Sequence, residues 1–245
     1  MIEAKGISWN IGGAQILNDI SVEVGAGELL GIIGPNGAGK SSLVNILSGV
    51  RRPSKGSIRI GDREVTRKGA TARARMGLAR SFQTSALFDG LTAAENVRLA
   101  IQGARPGGLS LTRRAAASAT AARVEELLER VRMPGRATVL ARGLSHGDRR
   151  KLELAMALAS KPSVLLLDEP MAGVSAEDVD GLSTIIGEVR DAGVAVLMVE
   201  HHMHVVLGLA DRVAVVHHGQ LLACGSAHEV TADPEVQRAY LGEAL

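Results

Sequence analysis

The stretch from Gly31 to Leu47, GIIGPNGAGKSSLVNIL, sets four glycines and one lysine between two apolar runs. Glycine weakens any regular element, so its concentration here marks a backbone that bends sharply or approaches something closely. Gly34, Pro35, Asn36, Gly37, Ala38, Gly39, Lys40 and Ser41 fit the pattern G-x-x-x-x-G-K-[ST]. Backbone N–H groups of such a loop, with the positive end of a following helix, bind the β-phosphate oxygens of a nucleotide. Lys40 is expected to reach the β- and γ-phosphates and the Ser41 hydroxyl to ligate Mg²⁺; Ser42 completes the nucleotide-binding set.

A second constellation is VLLLDE, Val164 to Glu169. A buried strand ending in two adjacent carboxylates places Asp168 near the Mg²⁺ shell and Glu169 beside the γ-phosphate, where it polarises an attacking water. Taken alone, the paired acids also read as a helix N-cap, because Pro170 follows. The phosphate-binding loop upstream favours the catalytic reading.

These groups need a strand, a loop and a helix in fixed order. SVEVGAGELLGIIG alternates and then turns wholly apolar, which predicts an exposed strand, a glycine turn and a buried strand ending at Gly34. KSSLVNILSGV has apolar residues at helical spacing and stops at Gly49, with Pro53 beyond. SIRIGDREV reads as an antiparallel hairpin piece. From about Thr92 to Ser160 the pattern is helical, broken by GARPGG and by Pro134-Gly135, and the Ala-rich RRAAASATAARV reads as an ordinary helix. Two more buried strands, SVLLLD and VAVLMVEH, flank an amphipathic helix from about Ala176 to Ala192, and VAVVHHGQLLACG reads as a closing hairpin.

Composition agrees with that plan. The 245 residues are 46% hydrophobic and 2% aromatic, so the core is aliphatic and Ala-rich, as suits helices packed on a Val, Leu and Ile sheet. The net charge is +2, and basic pairs such as Arg51-Arg52, Arg113-Arg114 and Arg149-Arg150 lie scattered among acids, which argues against a nucleic-acid stripe. A lone cysteine, Cys224, permits no internal disulfide, and the N-terminus lacks a signal-peptide pattern. The chain reads as cytoplasmic, and its short apolar runs fall well under the roughly 20 residues needed to span a bilayer, so any membrane role comes through a partner.

LSHGD, Leu144 to Asp148, followed by RRKLELAMAL and standing upstream of LLLDEP, resembles the LSGGQ signature and its helix in ABC-transporter ATPases. Gln83 in RSFQTSALF is similar to that family's glutamine loop, which contacts Mg²⁺ and water. AGVSAED is similar to its dimer-contact loop, and His201 in VEHH to its switch histidine. The resemblance implies an α/β fold, a P-loop NTPase (RecA-like) core sheet with an antiparallel β subdomain and an inserted α-helical subdomain. One ABC ATPase domain then covers 1–245, with 1–84 and 161–245 forming the nucleotide-binding core and β subdomain and 85–160 the helical subdomain. It also implies ATP and Mg as cofactors, with Glu169, His201 and Gln83 catalytic and Ser41, Gln83 and Asp168 on the Mg. Ser145 and Gly147 would face the γ-phosphate held by a second, head-to-tail ATPase subunit, identical or paralogous.

The DPEVQRAYLGEAL terminus, the Gln83-to-Leu144 insertion and the phrases ARSFQTSALFDGLTAAENV and LSHGDRRKLELAMAL look most like the ATP-binding subunits of branched-chain amino acid importers and their amide and urea-type relatives. The implied partners are two transmembrane permease subunits and, indirectly, a solute-binding protein, with the chain peripheral on the cytoplasmic face of the inner membrane. The other reading, a soluble ABC ATPase acting on nucleic acid or ribosomes, usually comes with a long coiled-coil insertion or two cassettes in one chain, and this chain has neither.

Several positions depart from the family pattern. Asp148 replaces the usual glutamine and adds negative charge near a phosphate site unless it points away or pairs with Arg149 or Arg150. His146 replaces a glycine. Ile11 takes the place where the family stacks an aromatic ring on adenine, which predicts weak discrimination between ATP and GTP unless Trp9, two residues earlier on the same strand face, supplies the ring. The pairs His201-His202 and His217-His218 are expected on opposite strand faces and make no natural bidentate metal site.

Overall fold

The computed structural model describes residues 1–81, 87–104 and 113–241. In chain order the elements are β1 (Ile2–Ile11), β2 (Ala14–Val24), β3 (Leu29–Ile33), α1 (Lys40–Leu47), β4 (Lys55–Ile60), β5 (Arg63–Glu64), α2 (Ala70–Arg75) and β6 (Leu78–Arg80). There follow α3 (Ala93–Gly103), α4 (Arg113–Arg130), α5 (His146–Leu158), β7 (Val164–Asp168), α6 (Ala176–Asp191), β8 (Ala195–Val199), α7 (Met203–Leu209), β9 (Arg212–His217), β10 (Gln220–Gly225), α8 (Ala227–Ala232) and α9 (Pro234–Leu241). The chain groups into two compact units, one of residues 1–80, 163–170 and 189–245, the other of 81–162 and 171–188.

The first unit holds both sheets. Six strands run in the order β10-β9-β3-β8-β7-β6, and β2-β1-β4-β5 form a second sheet. β3 pairs in parallel with β8 and β9, and β7 in parallel with β8 and β6; β10 alone is antiparallel, at the edge. Strands β3, β7 and β8 are buried at every position, as parallel strands covered on both faces must be, which is why their sequences are continuous aliphatic runs. The turn between β9 and β10 is His218-Gly219, with φ of 44° and 75°, the left-handed pair that a two-residue hairpin requires.

The antiparallel sheet is irregular where it borders the phosphate-binding loop. Asn10 pairs with Gln15 but Trp9 pairs with Leu17, so Ile16 is an extra residue in β2. Such a bulge bends the strand and re-aims a side chain. Leu17 is fully buried and Trp9 packs on the core, whereas Ile11, at the end of β1, is 51% exposed.

α1 buries Leu43, Val44, Ile46 and Leu47. Its C-terminal carbonyls are satisfied by Arg73, which has no exposed surface: Nη1 donates to the oxygens of Ile46 and Leu47 at 2.7 Å each, Nε to Lys68 O at 2.9 Å and Nη2 to Thr66 O at 3.2 Å. Burial pulls this guanidinium down to a pKa of about 10. Four carbonyls stand in for the water the cation has lost.

The second unit is helical. Thr92 and Glu95 form a capping box that starts α3, and buried Asn96 donates to the carbonyls of Phe88 and Thr92. Val97, Ile101, Leu127, Leu128, Leu152, Leu154 and Leu158 supply its apolar interior.

Candidate functional site

Gly34 follows the last residue of β3, with φ of 149°, and a Cβ there would stand 2.0 Å from the Val216 carbonyl oxygen of β9. Only glycine lets the loop leave the sheet along this path. Gly39 caps α1 at φ 106°, and a Cβ on it would meet Leu17 Cδ2 at 2.7 Å. Among the described residues no side chain caps α1, and no acid stands in its first turn. Its first N–H groups therefore face the cleft with the positive end of the helix dipole behind them. Lys40 is 5% exposed and donates to the carbonyls of Gly34 and Pro35 at 2.5 and 2.7 Å. One cleft in the first unit is lined by Asn36 to Ser42, Ile16, Glu169 and His201.

Asp168 ends β7 and is 2% exposed. Burial raises its pKa above the ordinary carboxylate value; Arg80, whose Nη2 donates to Asp168 Oδ2 at 2.9 Å, opposes that rise by charge and hydrogen bond. Glu169 follows in the left-handed region, φ 52°, its N–H donating to Val199 O at 2.9 Å. Its Oε1 lies 2.7 Å from His201 Nε2. The helix-cap reading of the acidic pair fails, because the next helix begins at Ala176.

The cleft thus brings together Asn36, Gly37, Ala38, Gly39, Lys40, Ser41, Ser42, Glu169 and His201, with Gly34 and Pro35 at the root of the loop and Asp168 beside Glu169. Ile11 is not among the lining residues; the apolar side chain beside the loop is the bulged Ile16. A bulge depends on how two strands pair, so no local pattern in AQILND announces it. Gln83 lies outside the described residues. The sequence also gave no sign of Arg80, which reads as one more basic residue in TARARMGLAR.

Ser145 and Gly147 lie in the second unit, at the start of α5. Ser145 is the N-cap, its hydroxyl accepting from Asp148 N at 3.1 Å. Gly147 is buried, and a Cβ on it would meet Asp178 Oδ2 at 2.5 Å. Asp148 pairs with Lys151 at 3.5 Å and Arg136 at 3.7 Å, not with Arg149 or Arg150, which engage Asp89 and Glu153. Arg149 and Arg150 leave the Asp148 side of the helix, whereas Lys151 follows at i+3 on the same face.

The histidine pairs also differ from expectation. His201 and His202 lie beyond the end of β8, and both amides donate to the buried Glu200 carboxylate at 3.0 and 3.4 Å. His217 and His218 bring their ring centroids within 4.0 Å, because His218 occupies the hairpin turn and not a strand position. No group of three or more metal-ligating side chains occurs among the described residues.

Comparison with known proteins agrees with this geometry. The family described as "ABC transporter" matches residues 17–172, and the one described as "Branched-chain amino acid ATP-binding cassette transporter" matches residues 220–245. The chain is 36% identical to the high-affinity branched-chain amino acid transport ATP-binding protein LivG of Salmonella typhimurium, over 100% of this chain and 98% of that one. It is 35% identical to the lipopolysaccharide export system ATP-binding protein LptB of Acidithiobacillus ferridurans, over 99% and 97%. The crystal structure of the ADP conformation of an ATP-binding cassette of an ABC transporter superposes with a TM-score of 0.87 at 26% identity, covering 99% of this chain and 98% of that one. The chain belongs to the ABC transporter family and is one of its ATP-hydrolysing cassettes.

Proposed function

We propose that the chain is the motor subunit of an importer for branched-chain or other hydrophobic amino acids or related amides. The observation that carries the choice of cargo is the C-terminal match over residues 220–245, since identity to relatives named for amino-acid transport and for lipopolysaccharide export differs little, 36% against 35%. ATP binds with its phosphates on Gly34 to Ser42 and Lys40 turned from the loop carbonyls toward the β- and γ-oxygens. The Ser41 hydroxyl and the Asp168 carboxylate would hold Mg²⁺, with Gln83 expected to join them; hydroxyl and carboxylate oxygens are the hard donors this ion takes. Mg²⁺ supplies charge neutralisation at the phosphates. Glu169 accepts hydrogen bonding from the attacking water while His201, 2.7 Å away, holds that carboxylate in place. The base lies on the apolar side of the cleft formed by Ile16, with Ile11 nearby on β1 and Trp9 turned to the core.

In this reading Ser145 and Gly147 meet the γ-phosphate of a second cassette, two ATPs join the pair head to tail, and hydrolysis releases it. The cassettes sit on two permease subunits at the cytoplasmic face of the membrane, fed by a solute-binding protein. No helix among the described residues is long and apolar enough to cross a bilayer. The test is co-expression with permease subunits from the same source organism. Recovery in membranes, with ATP hydrolysis stimulated by an amino-acid-loaded binding protein, supports the reading. Salt-dependent binding to DNA or RNA with no membrane recovery would replace it with the soluble alternative.

A further inference from the structure

We propose that Arg80 is a positioning residue for the Mg²⁺-nucleotide, locking the helix that carries Ser41 to the strand that carries Asp168. The inference rests on the nucleotide site described above and goes beyond it. Arg80 ends β6, the strand beside β7 in parallel pairing, with Arg80 opposite Leu166. Its side chain is 12% exposed and that of Asp168 1%. Three contacts to described residues hold the guanidinium. Nη2 donates to Asp168 Oδ2 at 2.9 Å, and Nη1 donates both to Asn45 Oδ1 at 2.7 Å and to Ser48 Oγ at 3.0 Å.

The spacing of the two anchors gives the arrangement its meaning. Asn45 and Ser48 follow Ser41 by four and seven residues, so Ser41 and Asn45 on α1 and Ser48 at its C-cap lie on one stripe. Ser41 stands at the head of that stripe, in the first turn, and Arg80 grips it lower down. The planar fork of arginine holds two directions at once, one along the helix stripe and one toward the carboxylate, which a lysine ammonium on a flexible stem does not do. A carboxylate on a short side chain still turns about its last bond; a guanidinium that is itself pinned at two points stops that turn. Mg²⁺ demands near-ideal octahedral geometry, so small errors in the relation of Ser41 to Asp168 are costly to it in particular.

The experiment measures nucleotide affinity of the full chain by calorimetry in excess Mg²⁺ and in EDTA, with the Mg²⁺ concentration at half-maximal binding as the readout. Arg80→Met keeps length and loses charge; Arg80→Lys keeps charge and loses the fork; the double variant Asn45→Ala, Ser48→Ala keeps the arginine and loses its anchors. We expect Arg80→Met to leave the EDTA affinity within about two-fold and to raise the Mg²⁺ requirement about ten-fold, the scale of one lost charge-assisted hydrogen bond. Arg80→Lys recovers part of this, and the double variant shifts the same way by about three-fold. If Arg80→Met does not fold by circular dichroism, the other two variants carry the test. An unchanged Mg²⁺ requirement, or equal losses in EDTA and in Mg²⁺, overturns the proposal and leaves Arg80 a structural ion pair. Wild-type protein that binds nucleotide without any Mg²⁺ dependence overturns the Mg²⁺ site itself, a different failure.

Discussion

The first turns of α1 and α5 both face tasks involving phosphate on our reading, yet they are made of opposite materials. α1 begins at Gly39, with no capping side chain and no acid in its first turn. α5 begins at Ser145, which caps the Asp148 amide, and Asp148 adds a carboxylate balanced by Lys151 and Arg136. An N-cap side chain satisfies donors that would otherwise seek an anion, and an acid cancels the positive end of the dipole. On our reading α1 is the primary phosphate site, drawing its ligand with uncapped backbone N–H groups and Lys40. α5 is a self-sufficient helix start that adds little attraction and contributes a hydroxyl and a close-approaching Gly147. If that reading holds, affinity resides in the first unit and the second unit's contribution is geometric.

The largest effect should come from separating chemistry from affinity within the cleft. Glu169→Gln is expected to lower ATP hydrolysis by about 10²- to 10⁴-fold, the usual contribution of a general base, with nucleotide binding retained. Phosphate release and calorimetry on one preparation check this, and size-exclusion chromatography in Mg-ATP should show a trapped dimer; a variant that stays monomeric where controls dimerise removes the two-ATP pairing.

Next comes the direct test of the two helix starts. Lys40→Ala should weaken ATP binding about 10- to 100-fold, the loss of about 1.5–3 kcal/mol from a hydrogen bond to a charged group. Ser145→Ala should leave monomer affinity unchanged and lower stability by about 1 kcal/mol through the lost cap, read by urea denaturation. Matching affinity losses in both variants would erase the contrast.

Ile11→Tyr should tighten ATP and GTP alike by up to about ten-fold, within the range of about 1–3 kcal/mol that base stacking supplies. Dissociation constants for both nucleotides, measured also in Trp9→Ala, decide it: no gain in Ile11→Tyr with a large loss in Trp9→Ala places the base on tryptophan. The smallest effect is expected from Asp148→Asn. Removing a charge that Lys151 and Arg136 already balance should raise turnover by about three-fold at most, on the scale of about 0.3–1 kcal/mol for a charge at a helix end. Steady-state rates at low and high salt check it, and a fall in turnover would mean that the acid helps the reaction.

The loop from Gly34 to Ser41 and the strands β3, β7 and β8 were legible because their signals are local: a glycine cluster of fixed spacing, and aliphatic runs that only doubly covered strands can use. What escaped reading depends on pairing at a distance. The Ile16 bulge exists only in the register of β2 on β1. Arg80 meets Asp168 across 88 residues of chain, and Arg73 reaches the end of α1 across 26 and 27. Both arginines sit in a stretch whose composition reads as solvated. Of the partners of Asp148, Lys151 follows from helical spacing, whereas Arg136 follows from the fold alone. His218 was misplaced because a strand pattern was extended one residue into a turn.

The residue that follows β7 bears on the whole molecule. Glu169 holds φ at 52°, a conformation that costs a side-chain-bearing residue about 1–2 kcal/mol and a glycine almost none. On our reading it is also the group that works on water. A stability of about 5–15 kcal/mol for a typical domain makes that strain a noticeable fraction of the whole. Heat resistance and turnover are thus set against each other at a single backbone angle: selection for endurance alone would put glycine at this position, and the longest-lived form of this fold would be one that no longer turned over.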